Sequence, residues 1–529
     1  MRKLMWFTIG YALSCGVGVY LLRDSRLLLM AAVLGVLSLL GLHFRHHPVG
    51  KRLLAVFLGG VMGCLGFFWY AQTILMPAAV KDGEEVSVVI RATGYSWETE
   101  YGVAADGEIE LSGRRYKVRF YVNEDRKIEP GDLVRMQAQL RLTDEGGEQE
   151  PTFHRTRGIL LLAYPRSEVI LEDLPPELRD LPALWAERLK GIIEEAFPSD
   201  AAPFAKALLL GDKSDLLWSQ SRDFSRSGIS HIVAVSGLHV SILFAFLSMV
   251  TGKRRFWMVL LGIPVLLLFG AMAGFTASVT RAVIMQIIFL LALALNREYD
   301  PPTALAAAGL AMLVQCPLVI AGIGFQLSFA SVAGIFLFYE KLSNWLGNWL
   351  PGKGKTLRGR LERFFKSSVA VTLSATVLTV PLTAIHFGLV SLVGVVTNLL
   401  VLPVVSLIFY GVMAVCTLGC FHMGAASALA WVMTWPIRYV LTVAHAMAKL
   451  PLAAVYTISP YIVLWLVFVY GLLGWLLLTK KKRPGVAAGM GALALCISLM
   501  LSFLEPLTCG YRVTVLDVGQ GQSILLQSQ

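Results

Sequence analysis

Residues 391–418 read Ser-Leu-Val-Gly-Val-Val-Thr-Asn-Leu-Leu-Val-Leu-Pro-Val-Val-Ser-Leu-Ile-Phe-Tyr-Gly-Val-Met-Ala-Val-Cys-Thr-Leu, an apolar run without one charged side chain. It exceeds the ~20 residues that a helix needs to cross the hydrocarbon core of a bilayer. Pro403, inside it, predicts a broken helix. Similar runs lie near 229–250, 256–274, 279–295, 303–322, 325–339, 368–387, 427–447, 460–478 and 484–504. Three more, 1–22, 27–42 and 53–76, precede them, for about thirteen spans in all. The runs 279–295 and 325–339 are short for crossing and read as re-entrant or broken.

Composition agrees. Of 529 residues, 56% are hydrophobic and 15% charged, with mean hydropathy +0.66. Soluble domains run near ~45–50% apolar and ~25% charged, so a soluble enzyme is excluded, and disorder, which needs low hydropathy, is excluded with it. The seven cysteines form no CxxC and no Cys/His cluster, which argues against a disulfide scaffold or a zinc site.

The net charge of +11 has a topological reading. With the N-terminus in the cytoplasm, alternate loops hold Arg45, Lys51 and Arg52; Lys253, Arg254 and Arg255; Lys341, Lys353, Lys355, Arg358, Arg360, Arg363 and Lys366; and Lys480, Lys481, Lys482 and Arg483. That is the positive-inside pattern, and it places 77–182 and the C-terminus outside.

Segment 77–182 is polar and strand-rich. Glu85–Ala92, a hairpin of Glu108–Leu111 and Arg114–Val122 around Ser112-Gly113, Leu133–Leu142, Gly158–Tyr164 and Glu168–Leu171 suggest a small barrel or sandwich. Period-2 alternation puts Arg115, Lys117, Arg119 and Tyr121 on one face of the first long strand, and Arg135, Gln137, Gln139 and Arg141 on one face of the next. A cationic groove with a stacking ring suits a single nucleic-acid strand; the plain alternative is a solvated barrel face. Residues 181–197 then read as an amphipathic helix, lying on the bilayer or packed on the barrel.

Polar groups interrupt the apolar runs at four places. Gly228-Ile-Ser-His-Ile-Val-Ala-Val-Ser-Gly-Leu-His239 brings Ser230, His231, Ser236 and His239, the two histidines two helical turns apart on one face. Gly274-Phe-Thr-Ala-Ser-Val-Thr-Arg281 sets Arg281 at the start of a span, to snorkel or to meet phosphate. Gly322-Ile-Gly-Phe-Gln-Leu-Ser328 adds Gln326 and Ser328, and the 386–403 region adds Asn398. Ionisable and polar groups inside spans mark a path or a site, or hold helices together by hydrogen bonds. The sequence has no P-loop, GxSxG or HExxH.

In this order the stretches resemble the ComEC family of competence DNA-uptake channels: N-terminal spans, an outer barrel, Leu208-Leu-Leu-Gly-Asp-Lys213, Gly228-Ile-Ser-His231, Ser236-Gly-Leu-His239, Ser278-Val-Thr-Arg-Ala282, Gly324-Phe-Gln-Leu-Ser-Phe329, Asn398 to Pro403, and Leu516-Asp-Val-Gly-Gln-Gly521. The resemblance implies a polytopic α-helical plasma-membrane protein with an external OB-fold domain. It implies a channel conducting single-stranded DNA into the cytoplasm during natural transformation. DNA would be bound by Arg115, Lys117, Arg119, Tyr121, Arg135 and Arg141; Ser230, His231, Ser236, His239, Arg281, Gln326, Ser328 and Asn398 would line the route. The domains expected are N-terminal spans 1–76, the OB-fold 77–182, a linker 183–228, the channel 229–504, and 505–529 as the opening of a metallo-β-lactamase-like domain. That domain is the family's proposed nuclease. Its divalent-metal motif would lie downstream of Gln529, so no catalytic residue, metal ligand or cofactor is expected in this chain, and Gln522 stands where the family usually has Asp. Membrane lipid, a DNA receptor and a cytoplasmic ATP-driven translocase are the implied partners. The competing expectation is a membrane-embedded enzyme or small-solute exporter using His231 and His239, against which stands the lack of a third metal ligand.

Overall fold

The computed structural model describes residues 2–22, 24–44, 46–99, 102–122, 127–143, 153–252, 254–348, 357–457, 459–478, 484–508, 511–517 and 522–528. Arg45, Lys253, Lys353, Lys355, residues 480–483 and the Gly519-Gln-Gly521 turn lie outside the described residues.

In chain order, α1 (Lys3–Tyr20), α2 (Arg26–His43) and α3 (Pro48–Tyr70) lead through a π-helical turn (Ala71–Leu75) into α4 (Met76–Ala79). Seven strands follow: β1 (Glu85–Ala92), β2 (Trp97–Thr99), β3 (Gly102–Leu111), β4 (Arg114–Val122), β5 (Leu133–Leu142), β6 (Ile159–Pro165) and β7 (Ile170–Glu172). Then come α5 (Leu181–Ala196), α6 (Ala202–Leu210), α7 (Trp218–Ser227), α8 (Gly237–Val250), α9 (Arg255–Met272), α10 (Ala277–Ala294), α11 (Pro301–Gln315), a 3₁₀ turn (Pro317–Ala321), α12 (Ile323–Gly347) and α13 (Leu357–Phe387). The chain continues with β8 (Leu389–Ser391), α14 (Gly394–Gly419), α15 (Met423–Lys449), β9 (Ala454–Tyr456), α16 (Pro460–Leu478), α17 (Pro484–Thr508), β10 (Tyr511–Asp517) and β11 (Gln522–Ser528). By length and composition, eight helices among the described residues suffice to cross a bilayer: α2, α3 run on through α4, α9, α10, α12, α13, α14 and α17. The shorter α8, α11 and α16 are apolar as well.

Four expectations are corrected. Helix α14 runs unbroken through Pro403. Proline removes one backbone donor, and Val401, Val405, Ile408 and Phe409, all fully buried, hold the helix on both sides of it. Helices α10 and α12 are continuous, at 18 and 25 residues, and neither is broken. The interruption falls after Gln315 instead, where Pro317 converts the chain to a 3₁₀ turn. Finally, 229–236 is not helical. Gly228, at φ +79°, ends the preceding helix, and Ser236, in extended backbone, caps α8. His231 and His239 therefore do not share a helical face.

The chain forms two compact units. The first holds residues 1–217, 230–329 and 401–442. Its sheet closes in the order β1-β3-β4-β6-β5 and back to β1, a five-stranded barrel whose one parallel pairing is β4 with β6; β2 and β7 extend its rim. Ser112 and Gly113, both at positive φ, make the tight turn between β3 and β4. Val118, Phe120, Val134, Met136, Ala138 and Leu140 point inward, so the period-2 pattern of β4 and β5 sets the barrel's inside. The barrel core is continuous with helix ends: Val19, Phe67, Tyr70, Ala71 and Leu318 belong to the same apolar cluster. Arg114 donates to the Thr73 carbonyl, and the Tyr70 hydroxyl lies 3.8 Å from Cys316 Sγ. The amphipathic α5 buries Ile192, Ile193 and Ala196 and packs on α6 and α9, leaving Trp185 exposed. Lys127 Nζ reaches Glu187 Oε1 at 2.8 Å, tying the barrel to α5.

The second unit holds 218–229, 330–400 and 443–529. Strands β8 and β9 pair antiparallel, and Ser391 Oγ donates to the Arg226 carbonyl at 2.8 Å. Asp223 and His445 meet at 2.7 Å. Strands β10 and β11 form a separate antiparallel hairpin.

Candidate nucleic-acid interface and buried donor cluster

On the barrel, the six residues expected to form one cationic face divide into several settings. Arg119 grips Asp106 with two hydrogen bonds, 2.7 and 3.1 Å, and lies 4.7 Å over the Trp97 ring. Arg135 pairs with Glu172 at 3.0 Å. Arg115 and Lys117 stand directly opposite Glu110 and Glu108 across the β3–β4 ladder. Cross-strand neighbours of opposite sign offset each other, so this part of the face is close to charge-balanced. Tyr121 and Arg141 are gathered elsewhere. Tyr121 stacks on Tyr164, centroids 5.0 Å apart and planes 2° from parallel, and Arg141 sits 6.0 Å over Tyr164. Gln139 and Arg166 are hydrogen-bonded on the neighbouring rungs. The strip across β4, β6 and β5 thus offers two rings beside Arg141 and Arg166, the latter 3.8 Å from Glu85, the chemistry that holds bases and phosphates.

Tyr164 and Arg166 are additions that the sequence did not single out. Strand β6 is buried along most of its length, and only its end opens to the surface. No spacing rule foretells that this end lies against Tyr121. Burial and then the nearby Arg119 hold the His154 imidazole below its ordinary value. Burial likewise lowers Arg157, whose guanidinium lies 4.4 Å over Phe153.

Within the helices of the first unit, a second cluster forms at the N-terminus of α8. Ser236 Oγ accepts the Leu238 N–H, and His239 Nδ1 accepts the Ser236 N–H at 3.0 Å. This reciprocal cap fixes the imidazole. Nδ1 is an acceptor, so the neutral ring carries its proton on Nε2. His239 is 0% exposed, lies 5.5 Å from the Phe409 ring, and its Nε2 has no partner among the described residues. Arg281, on α10, is 7% exposed. Its Nη1 donates to the Ser328 carbonyl at 3.1 Å, its Nε is unpartnered, and it makes no ion pair among the described residues. Ser328, 8% exposed, also has an unpartnered hydroxyl. Gly237 explains how the guanidinium fits: a methyl there would stand 2.8 Å from Arg281 Nη2. Arg281 is therefore not a lipid-facing anchor; it is turned inward against a helix terminus.

The other expected lining residues are placed differently. Gln326 Nε2 donates to the Ile320 carbonyl at 3.1 Å and braces the turn into α12. Ser230 and His231 sit in the non-helical approach to α8. Asn398 lies in the second unit, buried, with an unpartnered Oδ1. Among the described residues no three His, Cys, Asp or Glu side chains come together as a metal site.

An apolar helical assembly that carries a closed β-barrel and buries a guanidinium with no carboxylate partner among the described residues is a membrane-embedded protein with polar business inside it. The chain belongs to the competence protein family, whose profile matches residues 208–483. It is 24% identical to ComE operon protein 3 of Bacillus subtilis over 341 residues, 62% of this chain and 41% of that protein. It is 23% identical to Recombination protein 2 of Haemophilus influenzae over 520 residues, 90% of this chain and 64% of that protein. With Competence protein ComA of Neisseria gonorrhoeae it shares 30% identity over 168 residues, 29% of this chain and 24% of that protein. The chain thus spans less than two thirds of each of these relatives. No solved structure matches it.

Proposed function

We propose that this chain conducts one DNA strand into the cytoplasm during natural transformation, with the barrel as an OB-fold receptor and the helices as the route. The observation that carries the reading is Arg281, buried among apolar helices with no ion-pair partner among the described residues, in a chain of the competence family. Burying an unpaired cation costs several kcal/mol, roughly, and each orphaned donor beside it ~1–3 kcal/mol more. Such a cost is offset when an anion passes. The barrel's strand order and its parallel β4–β6 closure support the OB-fold reading, a Greek-key barrel that binds oligonucleotides. Energy for transport comes from a partner, a cytoplasmic ATP-driven translocase, and DNA is delivered by a receptor outside. The hairpin of β10 and β11 is the proposed opening of a metallo-β-lactamase-like domain. Deletion of the gene tests the whole reading: transformation frequency collapses, and an unaffected frequency refutes it.

Two finer predictions belong here. The barrel should bind single-stranded oligothymidylate with an affinity that falls as salt rises. Combining Tyr164→Ala with Arg141→Glu should weaken it about tenfold or more, since each stacked base is worth ~1–3 kcal/mol. Equal affinity in a filter-binding assay at fixed salt means that the strip is not the receptor.

On the loop-charge pattern the barrel and C-terminus lie outside the membrane and the start of α13 inside, with about thirteen spans read from the apolar runs. In a variant without native cysteines, an impermeant thiol reagent on intact cells should label a cysteine put at Ser112. It should spare one put at Arg358. The opposite labelling inverts the topology.

A further inference from the structure

We infer that the N-terminus of α8 is a buried receptor for a single phosphodiester, formed by Arg281, the Nε2–H of His239 and the Ser328 hydroxyl. The inference rests on the strand-path reading above and names what that path grips. The cap on Ser236 uses His239 Nδ1 as acceptor, which leaves Nε2–H as a donor in a fully buried ring. Arg281 Nε–H is a second unpartnered donor. The Ser328 hydroxyl is a third polar group without a partner, while its own carbonyl is already taken by Arg281 Nη1. Two of these groups only donate, and the helix terminus adds partial positive charge. A metal cation has no reason to enter.

The occupant must accept hydrogen bonds and carry negative charge. Its size of charge is also constrained. One guanidinium balances one negative charge, and neutral His239 adds none. A phosphodiester, with one charge on two non-bridging oxygens, leaves the buried site neutral. A phosphomonoester at neutral pH leaves nearly one charge unbalanced in low dielectric, which is costly. The site therefore favours the interior of a strand over its phosphorylated end. Gly237 lets the guanidinium lie against the helix terminus, since a side chain there meets Arg281 Nη2.

The test uses the full chain in phosphatidylcholine nanodiscs, with Tyr164→Ala and Arg141→Glu added to silence the barrel strip. The probe is dithymidine monophosphate, followed by its phosphorus resonance. Binding is expected, and it should fall about tenfold or more, one charged hydrogen bond's worth, in both Arg281→Gln and Gly237→Ala. Gly237→Ala keeps the charge and displaces it, and the thermal midpoint of each variant in the same nanodiscs separates loss of the site from loss of the fold. Thymidine 5′-monophosphate and acetate should bind more weakly. Equal binding by Arg281→Gln, or tighter binding of the monoester or of acetate, overturns the assignment. Transformation by Arg281→Gln separates the two readings. Parental frequency with lost probe binding leaves the receptor standing and removes the strand path. Reduced frequency with unchanged probe binding removes the receptor and leaves the path.

Discussion

On the proposed route, Arg281→Ala should lower DNA uptake by about ten- to hundredfold while the amount of folded protein in the membrane stays at the parental level. The size follows from the chemistry. A hydrogen bond to a charged group is worth ~1.5–3 kcal/mol, and each ~1.4 kcal/mol is a factor of ten. Along the proposed route, walled by apolar helices, a phosphate that lost its guanidinium would have no water to replace it. Stability should move the other way or not at all. Arg281 makes one hydrogen bond, to the Ser328 carbonyl, and buries a charge with no counter-ion among the described residues. Removing an uncompensated buried charge relieves a desolvation cost, so the thermal midpoint of the purified variant should equal or exceed the parent's. Arg281→Lys keeps the charge but not the fork, and should keep part of the uptake. Uptake by Arg281→Ala at the parental rate would show that the strand passes elsewhere.

How much of this was legible in the sequence differs between strands and helices. Strands β1, β4 and β5 were readable to the residue, because the side chains of a barrel alternate in and out with period two and the Ser112-Gly113 turn needs positive φ. What could not be read was pairing. The closure of β4 on β6 brings Tyr164 to Tyr121, and the β3–β4 register sets glutamates against Arg115 and Lys117. Both depend on contacts distant in sequence. In the helices, hydropathy gave positions but not breaks. Proline at 403 reads as a break and is not one, whereas 229–236 reads as part of a span and is a non-helical approach of turns and bends. Ser236 and His239 stand out in the sequence as polar groups in an apolar run. Their reciprocal cap, which makes them a terminus and fixes the histidine proton, follows from their three-residue spacing once the helix start is known. Nor did hydropathy reveal which apolar helices touch, since lipid and protein faces are equally apolar.

That last blind spot hides the largest structural effect expected. Helices α1 and α3 pack backbone to backbone along Gly10, Gly59 and Gly63. A methyl on Gly59 would come 2.8 Å from the Phe7 carbonyl carbon, one on Gly10 the same distance from that of Val56, and one on Gly63 2.7 Å from the Tyr11 carbonyl oxygen. These obstacles are main chain, which cannot rotate away as a side chain can. Overfilling a packed core costs about 1–3 kcal/mol when side chains absorb the strain, and a backbone clash lies at or beyond the upper end. Gly59→Leu should therefore force the two helices apart. The ends of the same helices, Val19, Phe67 and Tyr70, share their apolar cluster with the barrel. Separation at Gly59 should propagate to that junction and loosen the barrel as well. The expected result is loss of the monodisperse peak when detergent-extracted Gly59→Leu is run on size exclusion, together with faster proteolysis inside the barrel. Gly35→Leu is the matched control, because nothing stands within 4 Å of a methyl at that position. If Gly59→Leu elutes and resists protease as the Gly35→Leu protein does, α1 and α3 are not packed through their glycines.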